Sequence, residues 1–307
     1  MKSKDKQFIW SDGKIVPFED AKVHILVHAL HYGSAVFEGI RAYKTEAGGV
    51  VFKLGEHIDR LFYSADVLGM KVPFSKKDIS SAVLELLSKN LLDEAYIRPI
   101  IFYSRMPLGL NPEHGSVSVA IATWKWGAYL GDVEAVKIKT SKFIRIHPNS
   151  TVVDAKISGH YVNAILATQE AREAGYDEAL MLDYEGYVAE GPGENIFMVK
   201  DGKLYTPEEG TILKGITRDA IISLAEDIGL SALEKKITPE ELKSADEVFF
   251  TGTAVEVAAV GIIDDKTIGD GKAGDITKKL QELFGSVVHG QEPKYSGWLT
   301  PLSSKTP

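Results

Sequence analysis

The sequence has no cysteine among its 307 residues. That absence excludes disulfides, thiolate nucleophiles and cysteine-ligated metals, and it fits a reducing compartment. Long apolar runs are also missing, since none approaches the roughly 18 residues that a membrane span needs. The first ten residues, MKSKDKQFIW, lack the apolar core of a signal peptide. We therefore expect a cytoplasmic protein with no membrane partner.

Positive charge is in short supply, because 35 lysines and arginines face 43 aspartates and glutamates, which gives a net charge of -8. The basic residues are scattered along the chain and form no stripe, so a nucleic-acid partner is not expected. The content of 44% hydrophobic and 25% charged residues is ordinary for a globular protein of two domains.

Histidines are few as well, eight in all, and three of them fall close together at His24, His28 and His31. Their segment has the pattern of extended chain, in which this spacing does not bring the three rings to one face. We therefore expect no metal site.

The first third of the chain predicts hairpins followed by helices. Turn signals at Asp12-Gly13 and Gly48-Gly49 separate short β-rich runs. Apolar residues then recur at helical spacing in two successive segments, first at Ile58, Leu61, Phe62, Ala65 and Leu68, and then at Ile79, Val83, Leu86 and Leu87. Two strands, EAYIRPIIFYS and SVSVAIATW, come next. Between Lys125 and Glu134 the alternation stops and glycines appear, which indicates a linker.

The second half mixes strands and helices. A strand, VKIKTSKFIRI, precedes a helix from about Tyr161 to Ala174, with Val162, Ile165 and Ala167 expected to face inward. A hairpin is predicted at Asp201-Gly202. The run TRDAIISLAEDIGL predicts a helix with Thr217 as its N-cap and Gly229 near its end.

Strands and helices without regular βαβ alternation indicate an α+β fold. We expect a small N-terminal domain over residues 1–124, a linker loop over 125–134 and a large domain over 135–307.

The region richest in chemistry holds a lysine, a tyrosine and a carboxylate. Lys156 lies in DAKISGHY, and Glu190 lies between glycines in EGPGENIF. Taken singly, a solvated lysine and a plain Gly-Pro-Gly turn are the more common explanations. Two further motifs change this: GITRDA sets a glycine before a helix start, where free N–H groups and the helix dipole suit a phosphate, and TGTA adds a hydroxyl. Together with Tyr161 they outline a site for a phosphate-bearing cofactor.

The same residues carry a family resemblance. The run VVDAKISGHYVNAILATQEAREAGYDEALMLDYEGYVAEGPGENIFMV resembles the signature of the fold type IV pyridoxal phosphate (PLP) enzymes. HALHYGSAVFEGIRAY, EHIDRL, AYIRPIIF, WGAYLG, LKGITRDAI and FFTGTAVEV resemble the branched-chain amino acid aminotransferases, in the same order, from about Phe8 to Trp298.

This resemblance implies a two-domain fold like that of D-amino acid aminotransferase, with a smaller N-terminal α/β domain and a larger C-terminal domain that has a barrel-like sheet. PLP would be the cofactor. The implied reaction moves amino groups reversibly between L-leucine, L-isoleucine or L-valine and 2-oxoglutarate, which gives branched 2-oxo acids and L-glutamate.

The resemblance also implies roles for single residues. Lys156 would hold the cofactor as a Schiff base and shuttle the proton at the substrate carbon. Glu190 would face the pyridine nitrogen, and Tyr161 would bond to the 3-oxygen of the ring. The remaining cofactor-binding residues, several of them around the phosphate, would be Arg60, Asn195, Leu213, Gly215, Ile216, Thr217 and Thr253.

Substrate-binding residues follow from the same resemblance. Arg98 would bind the distal carboxylate of glutamate, while Tyr96 and the N–H groups around Thr253 and Ala254 would bind the α-carboxylate. The apolar side-chain pocket would be lined by Tyr32, Phe37, Gly39, Leu110, Trp126 and Tyr129. Leu108, Gly109 and Leu110 match a loop with which one subunit closes its neighbour's site, in a homodimer or homohexamer.

Three other functions stay open at this point. They are a lyase of the aminodeoxychorismate lyase type, a D-amino acid or amine transaminase of the same fold, and a non-catalytic cofactor-binding module. Arg98 argues against the lyase, which has no need of a pocket that binds the distal carboxylate of glutamate. The sequence Tyr96-Ile97-Arg98-Pro99 resembles the branched-chain enzymes and not the D-amino acid enzymes. A simple binding module would not require Tyr161, Glu190 and Arg98.

Overall fold

A computed structural model describes residues 7–105, 109–111, 115–127 and 133–302. The chain divides into two compact units. The first comprises Met1–Gly127, Ala155–Gly159 and Val287–Pro307, and the second comprises Ala128–Asp154 and His160–Ser286. The expected linker at 125–134 lies partly outside the described residues, so the boundary there stays a prediction.

The first unit contains an eight-stranded sheet in which every strand pair is antiparallel. The strand order is β17-β5-β4-β6-β7-β1-β2, and β3 pairs with β6. The strands are β1 (Phe8–Ser11), β2 (Lys14–Pro17), β3 (Ala35–Phe37), β4 (Ile40–Thr45), β5 (Gly48–Phe52), β6 (Ala95–Arg105), β7 (Ser116–Trp124) and the last strand of the chain, β17 (Leu299–Pro301).

Both predicted hairpins of this unit are confirmed, one between β1 and β2 and one between β4 and β5. The second turn lies at Glu46 and Ala47, two residues earlier than predicted, because Gly48 and Gly49 already belong to β5. The Thr45 hydroxyl closes that turn by donating to the Gly48 carbonyl at 2.7 Å.

Three helices complete the first unit: α1 (His28–Tyr32), α2 (Leu54–Val67) and α3 (Lys76–Lys89). The apolar faces predicted for α2 and α3 are confirmed at Ile58, Leu61, Ala65, Ile79, Val83, Leu86 and Leu87, all of which are buried in one hydrophobic core. Ser75 begins α3 through a capping box with Asp78.

Two segments join this unit from far along the chain, although the sequence placed both within residues 135–307. Ile157 forms an isolated antiparallel bridge with Val36. The strand β17 pairs with β5. Backbone pairing therefore assigns the lysine segment Ala155–Gly159 and the end of the chain to the first unit.

The extended conformation expected for the histidine segment is wrong at His28, because α1 begins there. The Nδ1 atom of His28 contacts the Ser34 hydroxyl at 2.6 Å, and its Nε2 donates to the Gly109 carbonyl at 2.8 Å. His31 Nε2 donates to the Ile25 carbonyl. Across the described residues, no group of three His, Asp or Glu side chains could hold a metal ion.

The second unit contains a nine-stranded mixed sheet, with three parallel pairs among mostly antiparallel ones. The order is β10-β9-β8-β15-β14-β11-β12-β13, and β16 pairs with β15. The strands are β8 (Val136–Thr140), β9 (Glu178–Leu182), β10 (Val188–Glu190), β11 (Asn195–Lys200), β12 (Lys203–Thr206), β13 (Ala232–Glu234), β14 (Glu247–Gly252), β15 (Glu256–Ile263) and β16 (Lys266–Thr267).

Three helices lie within this unit, α4 (Tyr161–Glu173), α5 (Ile216–Asp227) and α6 (Pro239–Lys243), and a fourth, α7 (Asp275–Val288), begins in it and ends in the first unit. The predicted hairpin at Asp201-Gly202 is confirmed between β11 and β12.

Two details of the helices differ from the sequence-based predictions. The inward face predicted for α4 is confirmed at Ala167, which is buried and packs with Ala171, but it is wrong at Val162 and Ile165, which are 60% and 54% exposed. Thr217 is not the N-cap of α5. Gly215 is the N-cap, and Thr217 lies buried in the first turn.

Both units combine sheets with helices, which confirms the predicted α+β class. Among the described residues, no helix is long and apolar enough to cross a membrane.

Candidate active site

The backbone around Lys156 is held by two elements of the first unit. Its N–H donates to the Ser64 hydroxyl on α2 at 2.9 Å, and its carbonyl accepts from the Phe37 N–H at the end of β3 at 3.2 Å. The amine nitrogen lies 5.3 Å from the centre of the Phe37 ring. Lys156 is thus a half-buried lysine with a fixed backbone.

Arg60 lies on α2, one turn before Ser64, and its guanidinium pairs with Glu38. Arg60 Nε and Nη2 donate to the two oxygens of the Glu38 carboxylate at 2.6 and 2.9 Å. His57, on the same helix face, contacts that carboxylate at 2.8 Å. Arg60, which is predicted to bind the phosphate, is therefore held by the Glu38 carboxylate. No role was predicted for Glu38 from the sequence.

Aromatic rings surround Arg98 in the first unit. The guanidinium carbon lies 4.6 Å from the Phe37 ring centre, 5.4 Å from that of Tyr96 and 6.0 Å from that of Trp124. Trp126 stacks on Tyr96 at 4.3 Å. Within the described residues, the buried Nε of Arg98 has no hydrogen-bond partner. The structure thus brings Phe37, Tyr96, Arg98 and Trp126 together, and their substrate roles stay a prediction.

Gly39 belongs to the same group. A side chain at this position would meet the Tyr96 hydroxyl at 2.0 Å, so glycine is required for the ring to lie where it does.

Three of the predicted pocket residues lie elsewhere or outside the description. Tyr32 is 46% exposed on α1 and packs on the His28 ring at 4.5 Å. Leu110 is 85% exposed, and the neighbouring Gly109 carbonyl is held by His28. Tyr129, like Leu108 of the predicted closing loop, lies outside the described residues.

In the second unit, Glu190 ends β10 and is nearly fully buried. Its carboxylate accepts from the guanidinium Nε of Arg145, from the Asn195 amide at 3.1 Å and from the Leu213 N–H at 3.1 Å. All three partners are donors, so the side chain is held as an acceptor. Glu190, Asn195 and Leu213 therefore lie together, and Arg145 lies beside them.

The start of α5 packs closely on this group. Gly215 is the N-cap, and a side chain there would meet the side-chain oxygen Oδ1 of Asn195 at 1.8 Å. The N–H groups of the first turn, which includes Ile216 and Thr217, have no partner within the helix. They and the helix dipole suit an anion.

The remaining predicted residues of the second unit occupy element ends. Tyr161 is the first residue of α4, and Thr253 and Ala254 lie in the turn that joins β14 to β15. Two residues before Thr253, the buried hydroxyl of Thr251 has no hydrogen-bond partner within the described part of the chain.

Each unit by itself supplies groups that fit PLP. The first carries a primary amine at Lys156 and a guanidinium at Arg60. The second carries the Glu190 carboxylate, the Tyr161 phenol and the N–H groups that begin α5. Arg98 Nε and Thr251 Oγ1 are buried polar atoms without a hydrogen-bond partner among the described residues, a property that they share with Arg218 Nε outside these groups.

Comparison with known proteins agrees with this chemistry. The family described as amino-transferase class IV matches residues 35–263. The branched-chain-amino-acid aminotransferase of Pseudomonas aeruginosa is 47% identical over 295 residues, which cover 95% of this chain and 96% of that protein. Solved structures of a branched-chain amino acid aminotransferase from T.th. are similar over 97% of this chain and 99% of theirs. The one with pyridoxamine 5'-phosphate has a TM-score of 0.95 at 45% identity. The one complexed with N-(5'-phosphopyridoxyl)-L-glutamate has a TM-score of 0.93 at 44% identity.

Proposed function

The chain belongs to the class IV aminotransferase family, and we propose that within it the protein is a branched-chain amino acid aminotransferase with the type IV fold. It transfers the amino group reversibly between L-leucine, L-isoleucine or L-valine and 2-oxoglutarate, with PLP as its cofactor. The support is similarity over nearly the whole chain to proteins of that name, of which one solved structure holds pyridoxamine 5'-phosphate.

Bound PLP supplies an electron sink for the pair of electrons left when the substrate α-carbon loses a proton. We assign that proton to the Lys156 amine, because a primary amine can both hold an aldehyde cofactor and act as a base once it is released. Hydrogen bonds with Ser64 and Phe37 hold the Lys156 backbone in place, which leaves the exchange to its side chain.

Glu190 is assigned to the pyridine nitrogen. Its three donor partners orient the carboxylate, and its negative charge favours a protonated ring nitrogen. Tyr161 would donate to or accept from the 3-oxygen. Arg60, the N–H groups that begin α5 and Thr253 would bind the phosphate.

The assignment of the substrates depends mainly on Arg98. Its guanidinium is a planar fork of N–H donors, and a carboxylate is the ligand that suits such a group. The rings of Phe37, Tyr96 and Trp124 around it offer apolar surface to a branched side chain. One pocket can therefore accept both an aliphatic amino acid and glutamate.

Tyr96 and the turn at Thr253 and Ala254 would take the α-carboxylate. We also propose that Tyr32 and Leu110, both exposed on the single chain, line the pocket of a neighbouring subunit in a homodimer or homohexamer. The cytoplasmic location expected from the sequence stays a prediction.

An Arg98→Met variant tests this assignment. Each amino acid is mixed alone with the protein carrying PLP, and the conversion of the cofactor to its amine form is followed by absorbance. The wild type should convert with glutamate and with leucine, whereas the variant should lose the glutamate reaction much more than the leucine reaction. Failure of glutamate to react with the wild type would contradict the proposal and favour a lyase.

A further inference from the structure

Glu38 is a completely buried carboxylate in the first unit, placed between two predicted pocket residues, Phe37 and Gly39. Its two oxygens take the Arg60 bonds at 2.6 and 2.9 Å, and one of them also contacts His57 Nδ1 at 2.8 Å. The Glu38 backbone N–H donates to the Pro99 carbonyl at 3.0 Å. Both its backbone and its side chain are thus fixed.

The charges of this cluster are also fixed. Burial raises the pKa of Glu38, but the Arg60 charge and the hydrogen bonds from His57 and Arg60 outweigh it and hold that pKa well below its usual range. Burial lowers the pKa of His57, although Glu38 opposes this, so the imidazole stays neutral near pH 7. One negative and one positive charge therefore face each other.

Fold stability alone does not explain such a pair. A buried ion pair stabilises a fold little, and often less than apolar side chains of the same volume. What two parallel bonds to one carboxylate do provide is orientation, because they fix the plane of the guanidinium.

The same face of α2 reaches the Schiff-base lysine. His57, Arg60 and Ser64 follow one another at spacings of three and four residues, which places them along one side of the helix. Ser64 binds the Lys156 backbone, and Phe37, next to Glu38, binds the Lys156 carbonyl. The position of Arg60 is thereby tied to that of Lys156.

We propose that Glu38, supported by His57, is a positioning residue that holds the Arg60 guanidinium in the orientation that receives the phosphate of PLP. This inference rests on the proposed function, since the phosphate role of Arg60 belongs to it. A change in the Glu38 side chain should therefore weaken the binding of the PLP phosphate, whether or not the negative charge is kept.

Pyridoxal, which lacks the phosphate, separates this role from a general structural one. Dissociation constants for PLP and for pyridoxal are measured on the full chain from the absorbance of the lysine-bound cofactor. The dissociation constant for pyridoxal divided by that for PLP reports how much the phosphate contributes to binding. We expect Glu38→Asp, which keeps the charge but is one methylene shorter, and Glu38→Gln, which loses the charge, to reduce that ratio about tenfold or more.

Two controls are matched to these variants. Asp59→Asn changes an exposed carboxylate on α2 beside Arg60, and Glu178→Gln changes a buried one in the second unit. Both should leave the ratio unchanged. His57→Gln removes the support of Glu38, should lower the ratio in the same direction, and carries the test if neither Glu38 variant folds.

The contrary results are distinct. An unchanged ratio, or equal weakening for PLP and pyridoxal, would overturn the positioning role. A normal ratio in Glu38→Asp with a reduced one in Glu38→Gln would show that charge matters and orientation does not, which also overturns it. A wild type that binds PLP no better than pyridoxal would overturn the proposed function itself.

Discussion

A methyl group added at Gly39 should disturb the substrate pocket more than its size suggests. In Gly39→Ala the new carbon would lie 2.0 Å from the Tyr96 hydroxyl and 2.9 Å from the carbon that bears it. Contacts become ordinary near 3.4 Å, so one of the two residues must shift by about 1.4 Å. The hydroxyl that must shift is the one assigned to the substrate α-carboxylate.

Tyr96 has little freedom to make that shift. Its ring is 6% exposed, stacks on Trp126 at 4.3 Å and contacts Trp124 at 5.1 Å. Its strand, β6, is paired on both sides by β4 and β7. Overpacking of this kind costs about 1–3 kcal/mol of stability. A displacement of about 1 Å in a substrate-positioning group can lower activity about 100-fold.

The assay compares kcat/KM for leucine with the midpoint of urea unfolding. We expect Gly39→Ala to lower kcat/KM by about 10- to 100-fold, with a lower unfolding midpoint and an unchanged absorption band of the lysine-bound cofactor. Gly55→Ala is the control, because nothing lies within 4 Å of the added carbon and alanine suits helix α2. Wild-type kcat/KM in Gly39→Ala would refute the close packing of Gly39 on Tyr96.

Four further outcomes are expected. Lys156→Ala should abolish the absorption band of the bound cofactor and transamination while the circular dichroism spectrum stays that of the wild type. Glu190→Gln should keep the band but slow proton abstraction in single-turnover reactions, because the ring becomes a poorer electron sink. Arg145→Lys should slow the same step to a smaller degree, because it keeps a charge but loses the guanidinium that orients Glu190. The free energy of unfolding should fall as the pH drops below about 6.5. Burial lowers the pKa of His57 in the folded chain, so below this pH the unfolded chain binds a proton at His57 that the folded chain does not. His57→Gln should remove that part of the fall.

Each of these has a clear contrary result. Near-normal turnover in Lys156→Ala, or an unchanged single-turnover rate in Glu190→Gln, would refute the role assigned to that residue. A wild-type rate in Arg145→Lys would show that Glu190 is oriented without it. An identical slope of stability against pH in His57→Gln would place the acid sensitivity elsewhere.

Local patterns in the sequence were sufficient for the elements whose structure depends on neighbours along the chain. The apolar periods of α2 and α3 and the turns at Asp12-Gly13 and Asp201-Gly202 are of this kind. The inward face of α4 was predicted only at Ala167, because the helix packs through two alanines, Ala167 and Ala171, and leaves the larger apolar residues Val162 and Ile165 exposed.

The same contrast applies to the candidate site. Lys156 and Glu190 lie in motifs by which a family resemblance can be recognised. One hydrogen-bond partner of Glu190, Asn195, is only five residues away along the chain. Glu38 and Arg145 give no local signal. Glu38 meets His57 and Arg60 from 19 and 22 residues away, and Arg145 meets Glu190 across 45 residues. Such pairs become visible only when the fold brings their elements together.

The most direct test of the assigned reaction is glutamate production. The purified protein is mixed with PLP, 2-oxoglutarate and one amino acid at a time, and the glutamate formed is measured. L-leucine, L-isoleucine and L-valine should each yield glutamate and the corresponding branched 2-oxo acid. Absence of glutamate with all three would contradict the assignment of this chain as a branched-chain amino acid aminotransferase.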